Sequence, residues 1–398
     1  MKGRPANERR PLRVLHVLEA LEGGTARHLV DIVSSVGEVD HLVAIPTRRI
    51  GVPTDMSAAD RLRDAGALVH HIEMRRTPLR VRNALALVQL VSLIRRERPT
   101  VVHGHSSIGG VLGRVAAIIT GVPRVYTPHA LATGRVPLMV ERRLGRFTNR
   151  LVAVSESERD RVVAARITPF ERVVVIPNGI ELEPPSSPVV DLRTRLGIPP
   201  EAPLVGTIAR LNPQKAPDRF VRIITRVLEL RPDVHAIYIG DGPLRKEFSE
   251  AVRASPFAAR LHHIAELPFA WATLGQLSVF VLTSRFEGGP YAPLEAMRAG
   301  VPIVLTDVVG NRDVVESGTT GYLVDQDNDA AFADAVGSLL EDSGRRRSMG
   351  EAAREWVRSR SNIATTAAAL HALYADVAAQ RPSRDRVVDP GRNSGPGR

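Results

Sequence analysis

Residues 284–300 read SRFEGGPYAPLEAMRAG, and they carry two carboxylates, Glu287 and Glu295, eight positions apart. On one continuous helix that spacing would place both on a single face. The Gly288-Gly289-Pro290 between them breaks a helix instead. The pattern therefore predicts a loop carboxylate and a helix carboxylate that converge on one object. Pro290 and Pro293 fit the start of that helix, with Tyr291 at its opening and Glu295 in its first turns. Taken alone, Glu295 is also explained as an acidic residue near a helix N-terminus. Taken as a pair, the carboxylates can accept hydrogen bonds from hydroxyl groups, while the exposed N–H groups between them suit an anion.

Three further groups have the same character. Gly23-Gly24 follows the first apolar run and opens a helical pattern, so it is either a plain tight turn or a backbone cradle for an anion. Arg210 and Lys215 flank the loop after a later strand-like run. They are either solvated charges or a fork and a point charge suited to a diphosphate. Lysine occurs only at positions 2, 215 and 246 in a chain with 54 basic residues, so its use at 215 stands out. His129 closes the run VYTPH and is either a structural histidine or one aimed off a strand end into a ligand site.

The elements that must position these groups alternate. Strand-like runs at 13–20, 41–47, 68–74, 101–106, 124–129, 150–155 and 172–178 are separated by helical patterns such as 25–36, 82–97 and 155–166. The last opens SESE, which reads as a capping box with Ser155 at the N-cap and Glu158 three residues on. A second series follows, with strands at 204–210, 234–240, 261–266, 278–284 and 302–307 and late helices at 327–341, 344–361 and 363–379. Alternating βα units predict an α/β fold with two doubly wound Rossmann-like domains, whose ligands lie beyond the carboxyl ends of the strands. The reading divides the chain into an N-terminal segment 1–10, a first domain 11–183, a proline- and serine-rich linker 184–200, and a second domain 201–361. A helix at 362–380 returns toward the first domain, and a tail at 381–398 has little to bury.

Composition narrows the chemistry. There is no cysteine, which excludes thiolate nucleophiles, disulfides and cysteine metal sites. The twelve histidines show no zinc-type spacing. Asp325-Gln326-Asp327 and Asp327-Asn328-Asp329 match a D-x-D metal motif only superficially, because they stand at a helix start where acidic caps are ordinary. No run reads as a membrane span or a signal peptide, so a cytoplasmic protein is expected. The net charge of +11 is lopsided: residues 1–180 hold 28 Lys/Arg against 16 Asp/Glu, and residues 181–398 hold 26 against 27. A basic first half attracts nucleic acid, an anionic membrane or a phosphorylated ligand. Aromatic content of 4% and the lack of a recognisable module argue against nucleic acid.

In their order along the chain, these motifs resemble the retaining glycosyltransferases of the GT-B fold, family 4, with their E-x7-E signature. The resemblance runs through Gly23-Gly24, VSES at 154–157, VIPNGI at 175–180, Arg210 with Lys215, GDGP at 240–243, the 284–300 segment and GTTGYLV at 318–324. It implies that a sugar is moved, with no metal and no cofactor, from a nucleotide diphosphate sugar, UDP- or GDP-linked, bound between an acceptor-side first domain and a donor-binding second domain. Glu287 would meet the donor sugar near the reacting carbon and Glu295 the ribose hydroxyls. Arg210 and Lys215 would hold the diphosphate, His129 would touch the sugar from the opposite domain, and Gly23, Gly24, Gly289, Pro290 and Tyr291 would complete the donor site. Two positions depart from the family pattern: Ala216 where glycine commonly follows the lysine, and Gly289 where a bulky residue is common. The rival readings are an epimerase or phosphorylase of the same fold, and a basic nucleic-acid-binding protein. Finally, RVPLMVERRLGRFTNR at 135–150 sets apolar residues beside five arginines. It is either a helix packed on its own sheet or one that lies on an anionic membrane. The latter implies peripheral attachment to the inner membrane face and a lipid-linked or anionic saccharide acceptor.

Overall fold

The computed structural model describes residues 11–21, 23–47, 56–75, 81–131, 134–183 and 189–380. The expectations for 1–10, for 184–188 of the linker and for the tail 381–398 lie outside the described residues, as does Glu22.

The apolar runs form two parallel sheets. The first holds β1 (Leu12–Val17), β2 (Val39–Ile45), β3 (Leu68–His71), β4 (Val101–His105), β5 (Arg124–Thr127), β6 (Arg150–Ala153) and β7 (Val173–Val175), in the order β3-β2-β1-β4-β5-β6-β7. The second holds β8 (Leu204–Ile208), β9 (His235–Ile239), β10 (Leu261–Ile264), β11 (Val279–Leu282), β12 (Ile303–Thr306) and β13 (Gly321–Val324), in the order β10-β9-β8-β11-β12-β13. Near-continuous runs such as VVHGH in β4 and VFVL in β11 are buried along their whole length. Helices cover both faces of a parallel sheet, so such strands have no solvent side. The chain reverses direction across each sheet at its first strand, which makes both halves doubly wound.

Two details differ from the sequence expectation. β13 was not among the expected strands; its four residues follow a turn and are too few to show alternation. β5 ends at Thr127, so His129 stands beyond the strand, with a left-handed backbone (φ 56°).

The helix Ile363–Ala379 crosses back onto the first sheet. Its Leu370, Leu373, Tyr374 and Val377 pack against Val14, Val101, Val125 and Val152. The crossing is pinned where Ile180 donates to Ser361 O (2.8 Å) and accepts from Ile363 N (3.1 Å). A Cβ at Gly179 would meet the Ile363 backbone at 2.6 Å, so the close crossing requires glycine there. The carboxyl ends of both sheets thereby face one cleft.

Candidate active site

On the second domain, the loop after β8 is folded by its own polar groups. Asn212 accepts from Lys215 N (3.0 Å) through its side chain, and Tyr238 OH donates to Arg210 O (3.1 Å). Lys215 therefore stands at the turn immediately before the helix Pro217–Leu230. Ala216 takes a left-handed backbone (φ 48°, ψ 59°), a conformation that glycine adopts without steric cost. Here Pro217, at the first helical position with its φ preset, follows it.

Lys215 Nζ lies 2.5 Å from Glu287 Oε1, and Gln214 Nε2 reaches Phe286 O (3.0 Å) and Glu287 Oε2 (3.4 Å). Glu287 belongs to the loop after β11 and is 5% exposed. Beyond it the helix Tyr291–Arg298 begins, with Pro290 as its N-cap residue and Glu295, also 5% exposed, as its fifth residue. The loop-plus-helix reading of the two carboxylates is what the backbone adopts.

Residues of the first domain hold the Gly288-Gly289 loop across the cleft. Ser155 Oγ donates to Gly288 O (3.0 Å), and Asn178 Nδ2 donates to Gly289 O (2.7 Å). Ser157 pairs with Asp313, and its hydroxyl accepts from Gly310 N (2.9 Å). The segments 154–157 and 175–180 thus act as clamps between the domains. A Cβ at Gly288 would lie 2.8 Å from Ala130 N and 2.9 Å from His129 C, so only glycine permits this approach. Glu158 does not close the expected capping box onto Ser155. Its carboxylate accepts from Val154 N (2.9 Å) and Ala130 N (2.8 Å), holding the turn that carries His129, and burial raises its pKa. Ser155 does cap the helix, accepting from Glu158 N (3.1 Å).

Glu295 is met from the first domain by Arg27 on the helix Gly23–Ser35. Arg27 also contacts Asp31 (3.2 Å) and lies 5.1 Å over the Tyr291 ring. Tyr291 OH is 3.2 Å from His28 Nδ1. A Cβ at Gly23 would sit 3.5 Å from the Arg210 side chain. Gly23, Gly24, His129, Arg210, Lys215, Glu287, Gly289, Pro290, Tyr291 and Glu295 line one cavity of about 600 Å³ between the domains. Every residue singled out for the site in the sequence is brought to this cavity.

Sequence reading missed the cross-domain partners Arg27 and Asn178, and Gln214, which holds Glu287 within the second domain. It also missed a cluster of buried histidines behind His129. Within it, His16, His103 and His105, and separately His28, His105 and His129, stand close enough to share a ligand. The available signal was His16 on β1, His41 on β2 and the His103-x-His105 pair on β4, whose approach to one another depends on strand pairing that the sequence does not display. The acidic D-x-D residues are otherwise engaged: Asp329 pairs with Arg219 (2.7 Å) and Arg222 (3.0 Å), and Asp325 accepts from Asp327 N (2.8 Å).

The family description Glycosyltransferase Family 4 matches residues 22–184, and Glycosyl transferases group 1 matches residues 191–356. The chain is 30% identical to an alpha-maltose-1-phosphate synthase of Mycolicibacterium smegmatis over 374 residues, 84% of this chain and 90% of that protein. It is 29% identical to the Escherichia coli UDP-Gal:alpha-D-GlcNAc-diphosphoundecaprenol alpha-1,3-galactosyltransferase over 282 residues, 66% of this chain and 72% of that one. Among solved structures, HepE of Anabaena, in complex with UDP and glucose, superposes with a TM-score of 0.79 at 20% identity. That match covers 92% of this chain and 100% of HepE. The chain belongs to the GT-B glycosyltransferases of family 4, enzymes that transfer sugar from a nucleotide sugar.

Proposed function

We propose that the enzyme is a retaining, metal-independent glycosyltransferase that takes a UDP- or GDP-linked sugar and acts in cell-surface polysaccharide or glycolipid assembly. The named donors of its relatives favour UDP. The single observation that carries the site assignment is the Lys215–Glu287 contact at 2.5 Å, on a cavity that Arg210, Glu295 and His129 also line. In this reading Arg210 and Lys215 stabilise the charge that grows on the departing diphosphate, the task a metal performs elsewhere. Glu287 stands against the sugar near its reacting carbon, and Glu295 accepts from the ribose hydroxyls. Gly23 and Gly24, at the N-terminus of their helix, close over the phosphates. His129 meets the sugar from the acceptor side.

The acceptor reading rests on the helix Arg135–Gly145 and the turn after it. No helix among the described residues is long and apolar enough to cross a membrane. The apolar residues of this segment divide between two faces. Leu138 packs inward beside Tyr126 and Val162, whereas Val136, Met139 and Phe147 are more than half exposed among Arg135, Arg143 and Arg146. Such a face suits the surface of an anionic membrane and a lipid-linked or otherwise anionic saccharide acceptor.

A panel of UDP- and GDP-sugars, screened by thermal shift, tests the donor reading, since a ligand that binds only the native state raises Tm. One donor should raise Tm and should then yield a product with the donor's anomeric configuration, read by proton NMR. Inverted configuration would overturn retention, and no response to any nucleotide sugar would overturn the donor site.

A further inference from the structure

Three neighbouring strands of the first sheet, β2, β1 and β4, and the turn after β5 carry a histidine row that ends at the cavity. Val14 pairs with His41, His16 with His103, and His105 with Thr127. From β2 to β1, from β1 to β4 and from β4 to the turn after β5, the row advances two residues each time. The three strand histidines therefore stand on one face of the sheet, and His129, from the turn after β5, stacks on His105 with ring centroids 5.5 Å apart. The contacts form a single file: His41 Nε2 lies 3.1 Å from Val36 O, His16 Nε2 3.1 Å from His41 Nδ1, His105 Nε2 3.1 Å from His16 Nδ1, and His129 Nε2 3.2 Å from His105 Nδ1.

The first link sets the direction of all the others. A backbone carbonyl only accepts, so His41 Nε2 must carry its proton. A neutral His41 then has a bare Nδ1, which accepts from His16 Nε2–H. The same logic passes through His16 and His105 to His129. We propose that this relay locks His129 in the Nε2–H tautomer, with a bare Nδ1 that accepts a hydrogen bond from the donor sugar. No group among the described residues bonds to His129 Nδ1, that nitrogen is not among the buried unpaired atoms, and His129 lines the cavity. The sugar group placed there must bring a hydrogen, as a hydroxyl or an amide does and a carboxylate does not. His41, His16 and His105 are thus positioning residues for the transfer. The inference rests on the reading that His129 faces the donor sugar.

The relay needs neutral rings, and its surroundings supply them. Burial holds His16, His105 and His129 well below the ordinary imidazole range, and the neighbouring histidines press the same way. Burial also lowers His41, against the opposing pull of Val36 O and Asp40. The other titratable groups packed on the row are His28 from the first helix, His103 from β4 and Tyr374 from the returning helix. His103 packs against His105 (ring centroids 3.9 Å), but its nitrogens bond outside the file, to Tyr374 OH (2.7 Å) and Thr127 Oγ1 (2.8 Å).

The test is nitrogen NMR of the full chain carrying ¹⁵N-labelled histidine near neutral pH, where two-bond couplings show which ring nitrogen bears hydrogen. His41, His16, His105 and His129 should each show hydrogen on Nε2 alone. Hydrogen on Nδ1 of His129, or a mixture of tautomers, would overturn the relay. His41→Phe removes the one-way link and should turn His129, three hydrogen bonds away, into a tautomer mixture. The same change should lower kcat/KM for the donor by about tenfold. His41→Gln, whose amide donates to Val36 O and accepts from His16, should restore both. An unchanged His129 signal in His41→Phe would also overturn the relay. Addition of UDP-sugar should shift the bare Nδ1 resonance of His129; a locked tautomer whose Nδ1 ignores the donor would sink only the sugar contact.

Discussion

Gly288 stands where the two halves of the site come closest, and its missing side chain is what lets them meet. A Cβ there would lie 2.8 Å from Ala130 N, and both neighbours are backbone that cannot rotate away. Ala130 is itself held in a positive-φ conformation (102°) by the buried Glu158 carboxylate, so it cannot yield cheaply. Gly288→Ala should therefore push the Glu287 loop off the His129 turn and cost about 1–3 kcal/mol of stability through overpacking. Kinetics and urea unfolding on the purified variant check this. We expect a lower unfolding midpoint and a donor kcat/KM reduced by about a hundredfold, in keeping with a displacement of roughly 1 Å at a catalytic group.

At the scale of elements, the helix Arg135–Gly145 tests the acceptor reading. Its inward side is anchored by the buried Arg114–Glu141 pair (2.7 Å), while Val136 and Met139 face outward. Co-sedimentation with liposomes should show binding that needs anionic lipid. Binding should weaken as salt passes about 0.1 M, where the Debye length falls to about 10 Å. It should also drop when Arg135, Arg143 and Arg146 become Glu. Arg142 is left in place because it donates to Ala165 O (2.7 Å). The elements themselves were legible because parallel strands buried on both faces leave unbroken apolar runs, as in VVHGH and VFVL. The loop-and-helix placement of Glu287 and Glu295 followed from the glycines and prolines between them. What was not legible depends on register between strands or on contacts between domains. The histidine row exists only once β2, β1, β4 and β5 are paired. The Arg27–Glu295 pair joins residues 268 positions apart. The capping glutamate was found, but its partner in a distant turn was not.

At the scale of the molecule, the first domain stores neutral histidines in its interior. Burial lowers His16, His103, His105 and His129 well below the ordinary value and His28 to about 4. In the unfolded chain they titrate near about 6.5. Below that pH the unfolded state binds more protons than the native state, so stability is full above about pH 6.5 and falls as the pH drops toward 4. Each such group contributes a slope of up to about 1.4 kcal/mol per pH unit in that window. Urea unfolding should therefore give at least about 3 kcal/mol less stability at pH 5.5 than at pH 7.5, and equal midpoints would mean that the rings are not held neutral. The central claim concerns the cavity between the domains, where Lys215 and Glu287 face the donor. Its most direct test is turnover of the nucleotide sugar by Lys215→Ala, with folding checked by circular dichroism. Loss of a group that stabilises the departing diphosphate predicts a fall in kcat of about 100- to 1,000-fold. A folded Lys215→Ala enzyme with wild-type kcat would contradict the account.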